Sequence, residues 1–206
     1  MDQATRRETW NQRYAIDDYI FGKEPSELLV RHKSLLRAGD TALSVADGEG
    51  RNSAYLAQLG MNVTSFDFSD TAIAKAQKLF DERRVSVNMV EHDIETWPWT
   101  PNAYDVVVGI FFQFLDPAAR SKAFAGIAQT AKPGGRIFLR GYTPKQLEFK
   151  TGGPPEVENL YTVDLLLAAF PGFELIHLAD QITELNEGPR HTGMSAFVDL
   201  VLRKPI

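Results

Sequence analysis

Two periodicities alternate along this chain. Short runs rich in β-branched and apolar residues fall at 41–46, 62–68, 86–92, 104–110, 136–141, 173–178 and 196–203, a length and composition that predict strands. Between the first five lie segments with helical spacing, 51–59, 70–83 and 117–131. In the second of these Ile73, Ala76, Leu79 and Phe80 share one face behind a Ser69/Asp70 cap. In the third, Pro117 occupies a first-turn position after Asp116, itself a candidate cap. Strands alternating with helices predict parallel pairing through right-handed crossovers, hence a three-layer α/β sandwich.

The last two runs break the pattern. The stretch between them, QITELNEGPRHTGM, carries no helical spacing, so a hairpin is expected, with the final strand antiparallel to its neighbour. Residues 1–38 hold an aromatic-rich segment (Trp10, Tyr14, Tyr19, Phe21) and helical spacing over 26–37. That segment is read as a cap over the carboxyl ends of the strands, where open α/β sheets bind ligands.

Composition narrows the class. The 206 residues suit one domain spanning 1–206, and 44% hydrophobic with 24% charged residues is ordinary for a globular protein. There is no cysteine, which excludes disulfides and thiolate chemistry. Asp and Glu outnumber Lys and Arg 27 to 22, for a formal charge of -5, so neither a nucleic acid nor an anionic membrane is the expected partner. No apolar run approaches the roughly 18–20 residues of a membrane span, and MDQATRRETW lacks the apolar core of a secretory signal. A cytoplasmic protein with a small-molecule partner is expected. The four histidines are scattered, so no metal site is expected, and the oligomeric state is left open.

The chemistry begins where the first strand runs into Ala46-Asp47-Gly48-Glu49-Gly50-Arg51-Asn52 and then a helix. Glycines there let the backbone approach a ligand, and the helix N-terminus attracts its polar or negative end. Gly-x-Gly alone is equally a tight turn. Asp67 ends the second strand 19 residues after Gly48, near the ~20-residue spacing of an acid that binds ribose hydroxyls. His92-Asp93-Ile94 puts a second acid one strand further along the same edge, and Lys132-Pro133-Gly134-Gly135 turns into the fifth strand. Each has a plainer reading as a cap or a turn; their common register along one sheet edge favours a site.

These residues resemble class I S-adenosylmethionine (SAM)-dependent methyltransferases, and among them the small bacterial tellurite-resistance and thiopurine methyltransferase-like group. The resemblance rests on Trp10-x-x-Arg13-Tyr14, Tyr19-x-Phe21-Gly22-x-x-Pro25-Ser26, ADGEGRN, FDFS, HDIE, YDVVVGIFFQFL and KPGG, and on Gly152-Gly153-Pro154 and Glu187-Gly188-x-x-His191-x-Gly193. It implies a seven-stranded, mostly parallel Rossmann-like sheet of order 3-2-1-4-5-7-6 with strand 7 antiparallel, and SAM as cofactor with S-adenosylhomocysteine (SAH) as product. It also implies roles. Trp10 and Tyr14 would cover the cofactor; Asp47, Gly48, Gly50 and Asn52 would shape the loop along its methionine part. Asp67, followed by Phe68 and Ser69, would hold the ribose; Asp93 and the Ile94 amide would read the adenine; Phe111 would border the sulfonium. Two departures stand out. The loop acid is Asp47 rather than residue 46, which is Ala46, and Asn52 replaces a third glycine. Either Asp47 or a backbone group then holds the methionine ammonium.

On the acceptor side His191 is the candidate general base, with Arg190 beside it to hold an anionic acceptor and Glu187 to orient the loop; the alternative is a solvated loop histidine. Arg140 and Tyr142 follow the fifth strand and could face the acceptor, as could Gln113. Arg13 either pairs with the cofactor carboxylate or braces the N-terminal segment. His177 is read as structural, and Leu165, Leu166, Leu167 and Phe170 as core. The resemblance favours methyl transfer to a small acceptor, a thiol or a tellurite- or selenite-like soft nucleophile. A non-catalytic SAM-binding sensor or assembly module is the alternative. A nicotinamide dehydrogenase is disfavoured by the antiparallel last strand, and a nucleic-acid methyltransferase by the acidic charge and by Ile110-Phe111-Phe112-Gln113 after the fourth strand.

Overall fold

The computed structural model describes residues 3–206; residues 1–2 of the expected cap segment lie outside them. Seven strands form one sheet in the order β3-β2-β1-β4-β5-β7-β6. They are β1 (Thr41–Ser44), β2 (Asn62–Asp67), β3 (Asn88–Glu91), β4 (Tyr104–Ile110), β5 (Ala131–Tyr142), β6 (Glu174–Asn186) and β7 (Thr192–Arg203). The pairs among β1–β5 are parallel, and β7 runs antiparallel to both β5 and β6. The expected order and the antiparallel last strand are both present.

Strand alternation sorts the core into two layers, because successive side chains point to opposite faces. Leu43, Phe66, Val107, Ile137, Leu139, Leu200 and Leu202 pack with Phe124 and Ile127 of α5 (Pro117–Thr130) and Leu166 of α6 (Val163–Ala169). Ala42, Val63, Val106, Val108, Phe138 and Val201 face Leu28 and Leu29 of α2 (Glu27–Arg31) and Leu56 of α3 (Arg51–Gln58). Against α3 packs α4 (Asp70–Arg83), through Ala54, Ala76, Leu79 and Phe80. Both expected caps form: Ser69 Oγ accepts the Ala72 N–H, and Asp116 Oδ1 accepts the Ala118 and Ala119 N–H groups.

Three expectations need correction. Residues 26–37 are not one helix: α2 stops at Arg31 and a 3-10 turn, Lys33–Leu35, follows. The inner face lacks an apolar residue at 32, where His32 instead packs its ring on His177 at 4.5 Å. The β6–β7 connection is mostly strand, with Ile182 opposite Ala196 and Asn186 opposite Thr192. Those arms are polar because most of the outer β6 is exposed, so their composition reads as loop. Of the leucine triplet, Leu166 is buried and Leu167 faces solvent.

Candidate functional site

The site forms where β1, β2 and β4 end. After β1 the chain passes through Ala46 (φ 47), Gly48 (φ 59) and Gly50 (φ 83) before α3 begins at Arg51. Left-handed φ at Ala46 is costly for a residue with a Cβ, and Phe111 (φ 56), just past β4, repeats the feature. Both line the same cleft, and strain of this kind gathers at functional sites. Gly50 is required by packing as well, since a Cβ there would lie 2.7 Å from the Phe80 ring. A Cβ at Gly48 would lie 2.7 Å from the Tyr14 hydroxyl.

Two carboxylates face this loop, Asp67 buried and Asp47 half-buried. Asp67 Oδ2 accepts the Gly48 N–H (2.8 Å) and Oδ1 accepts the Ser69 N–H (2.9 Å). Asp47 accepts the hydroxyls of Ser44 (2.5 Å) and Ser53. Burial pushes each acid up to about 6, against the pull of those hydrogen bonds. Among the described residues neither has a salt-bridge partner. Tyr14 is buried above them and stays a neutral phenol, its pKa raised by burial and by Asp67, Glu49 and Asp47.

The cap forms from α1 (Gln3–Tyr14) and the chain after it. Trp10 stacks on Tyr14 (5.6 Å), and both rings meet Phe21. The cap is anchored by a group the sequence reading missed. Lys75, buried on α4, pairs with buried Glu49 (2.6 Å) and donates to the Ile16 and Asp18 carbonyls. A lysine next to Ala76 on an apolar helix face is the signal that could have found it. Arg13 is not among the residues lining the cleft; its guanidinium lies over the Trp10 ring at 4.8 Å.

The cleft has about 660 Å³ of non-protein volume, part of it open to solvent. Trp10, Tyr14, Asp47, Gly48, Asn52, Asp67, Phe68, Phe111 and His191 line it, so most of the expected cofactor residues and one acceptor residue converge. Asn52 does so from within α3, not from a left-handed turn, and its Oδ1 accepts the Ser26 N–H. Gly50, Ser69, Asp93 and Ile94 do not line the cleft. Asp93 Oδ2 is paired with Arg6 of α1 at 2.9 Å and its Oδ1 accepts the Glu95 N–H; Ser69 is the α4 cap.

The acceptor-side expectations divide. His191 is buried, its ring 4.5 Å from both Phe21 and Phe111, so it is no solvated loop histidine. Its Nδ1 has no hydrogen-bond partner. Burial, with Arg51 and Arg140 nearby, holds its pKa well below the usual histidine range, so it is neutral at physiological pH. Arg190 is exposed, and its backbone N–H donates to the Ile20 carbonyl. Arg140 is fully buried and its guanidinium is held by Asp199 and Glu187, which leaves no fork for a ligand. Gln113 clamps the Tyr142 backbone, donating to its carbonyl and accepting its N–H. Tyr142 packs behind Phe111 with an unpartnered hydroxyl, outside the cleft lining. Among the described residues no group of three or more His, Asp or Glu could hold a metal ion, and no helix is long and apolar enough to cross a membrane.

Residues 42–135 match the family described as a methyltransferase domain. A demethylmenaquinone methyltransferase of Renibacterium salmoninarum is 29% identical over 133 residues, 65% of this chain and 51% of that protein. The probable SAM-dependent methyltransferase TehB of Haemophilus influenzae is 33% identical over 75 residues, 36% of this chain and 26% of that one. The chain spans about half the length of the first curated relatives it matches. Among solved structures, the N-methyltransferase NodS of Bradyrhizobium japonicum WM9 in complex with SAH superposes with a TM-score of 0.71 at 16% identity, covering 97% of this chain and 98% of that one. In sequence and fold the chain resembles class I SAM-dependent methyltransferases.

Proposed function

We propose that this chain binds SAM in the cleft at the ends of β1, β2 and β4 and transfers its methyl group to a small acceptor, leaving SAH. The observation that carries the reading is a pair of acids, half-buried Asp47 and buried Asp67, without a cationic partner among the described residues, beside a glycine loop with no room for a side chain. A ligand with an ammonium, a sulfonium and a ribose diol supplies the missing positive charge and donors. The two carboxylate oxygens of Asp67 offer about four acceptor positions, more than the backbone N–H groups occupy. The adenine end would meet Asp93 and Ile94 once Arg6 withdraws. The Arg7–Glu91 pair is exposed and contributes ~0–1 kcal/mol, whereas Arg6 is largely buried against Asp93, so its withdrawal requires the adenine to replace it as the partner of that carboxylate. Within the expected cap segment α1 is then the movable part of a single domain, while Leu28 and Leu29 of α2 stay in the core.

When bound, the cofactor supplies an electrophilic methyl group on sulfur. What remains for the protein is alignment and exclusion of water. The rings of Trp10, Phe21, Phe111 and Phe114 close the cleft. His191, neutral and aimed at the Phe111 end, accepts the proton of an acceptor that enters protonated. A ring-lined end with one neutral imidazole favours a soft or neutral nucleophile over an ammonium, and agrees with the resemblance to thiol and tellurite methyltransferases. The acidic charge supports a small molecule over a nucleic acid, and the lack of cysteine is in keeping with the cytoplasm.

The test is release of SAH with thiols, oxyanions, phenols and amines as acceptors. Acceptor-dependent release supports transfer; SAM binding without turnover on the whole panel gives the sensor reading instead. His191→Ala is expected to leave SAH affinity nearly unchanged and to lower turnover by ~10²–10⁴-fold on an acceptor that must lose a proton. Loss of SAH binding in that variant would remove His191 from the acceptor side.

A pH dependence follows from the two acids. Their folded pKa values, about 6, lie above the ordinary 3.8, so the ligand-free protein holds extra protons between these values and loses stability as pH rises through that window. A cationic, diol-bearing ligand favours the ionised acids. SAH affinity, measured calorimetrically, is therefore expected to fall as pH drops from 7 to 5, with proton release on binding below pH 6. A flat profile would detach the acids from the ligand.

A further inference from the structure

Four charged side chains, each at most 11% exposed, form one chain of contacts beside the cleft. Arg51, the first residue of α3 after the glycine loop, pairs with Glu187 Oε2 at 2.8 Å. Glu187 Oε1 pairs with Arg140 of β5 at 2.9 Å, and Arg140 grips Asp199 of β7 through Nε (2.5 Å) and Nη2 (2.8 Å). Gln181 of β6 donates to the same Asp199 carboxylate. Glu187 is the only member on a turn rather than a regular element. Its backbone N–H donates to the His191 carbonyl, and the His191 N–H donates back to the Gly188 carbonyl. The turn also lies directly on the chain at Gly22, where a Cβ at Gly188 would be 2.3 Å from the Gly22 nitrogen.

Buried ion pairs add little net stability compared with well-packed apolar residues. What a carboxylate shared by two guanidiniums supplies is geometry: a carboxylate whose two oxygens are each taken by one guanidinium N–H from a separate rigid element has one place to be. We propose that Arg51 and Arg140 are positioning residues, which by sharing Glu187 fix the 187–191 turn against the cofactor loop and so set where the His191 imidazole sits. The proposal rests on the methyl-transfer reading for its purpose, because it ties the acceptor-side base to the element that starts at the cofactor loop.

The test is the titration of the His191 ring followed by NMR in the full chain, with the resonance assigned by its loss in His191→Ala. The charged groups acting on that ring are Arg51 from α3 and Arg140 from β5, both held by Glu187 of its own turn; Phe21, Phe111 and Tyr142 complete its surroundings. Glu187→Gln separates position from charge, because the two act with opposite sign. Removing a carboxylate leaves two guanidiniums uncompensated and pushes an imidazole that stays in place lower still. Releasing the turn hydrates the ring and brings its titration up toward about 6.5, the value of a solvated histidine. The rise is the expected result; a ring that titrates as in the wild type, or lower, overturns the proposal. If Glu187→Gln does not fold, Glu187→Asp retains the charge but is too short to reach both guanidiniums, and it is read by the same two outcomes. No cofactor or acceptor is present in the titration, so its result is independent of whether SAM binds.

Discussion

Arg140→Met is expected to destabilise the fold by about 3–5 kcal/mol, the range for removing one partner of a buried ion pair. Arg140 and Asp199 are both fully buried in neighbouring strands, joined by two hydrogen bonds. The methionine would fill much of the volume against Phe197, whose ring the guanidinium now covers at 4.6 Å. It would leave Asp199 with the Gln181 amide alone, in the middle of the sheet. Against a total stability of ~5–15 kcal/mol, a shift of that size is plain in a denaturant titration. The double variant Arg140→Met/Asp199→Leu is expected to recover most of it, since apolar replacement of both partners removes the stranded charge. A single variant within about 1 kcal/mol of wild type would mean that Asp199 takes up a proton or a water at little cost.

Asp67→Ala is expected to weaken SAH binding by about 1–3 kcal/mol, or roughly 5- to 150-fold, as two backbone N–H groups lose their acceptor and the ligand loses its own. The Gly48 amide would be stranded at the turn where the chain must pass closest to the ligand, so the loop is expected to loosen as well. Asp67→Asn preserves shape and one acceptor oxygen while removing the charge. Its affinity is expected to fall between the two and to lose the pH dependence that Asp67 contributes. Calorimetry of the three proteins at pH 7 and pH 5 separates these effects. Unchanged affinity in Asp67→Ala would move the ribose away from β2.

Local rules made part of this molecule readable in advance. Ser69 and Asp116 are caps because the orphan amides of a helix start lie three residues away in sequence. Parallel pairing of the first strands follows from alternating periods and crossover handedness, whereas the strand order is what the family resemblance implies; Gly48, Gly50 and Asp67 are register positions on one edge. What could not be read is set by distant partners. Arg140 reads as a polar residue at a strand end until Asp199, 59 residues on, is seen opposite it. Gln113 is bound to Tyr142 and Asp93 to Arg6 by contacts of the same kind. Arg190 and His191 are adjacent, yet one is in solvent and the other in the cleft. The turn geometry, pinned by Glu187, decides between them, and no spacing encodes it. The polar arms of β6 and β7 were missed because a strand exposed on its outer side carries no apolar alternation.

We read the cleft beneath the aromatic cap as a SAM site. Calorimetric titration of the wild-type chain with SAM, and separately with SAH, tests it most directly. One-to-one binding of both, with dissociation constants of micromolar order (about -8 kcal/mol), is the expected result. A folded protein that takes up neither would contradict the account, leaving Asp47, Asp67 and the glycine loop as a buried acidic turn with no ligand.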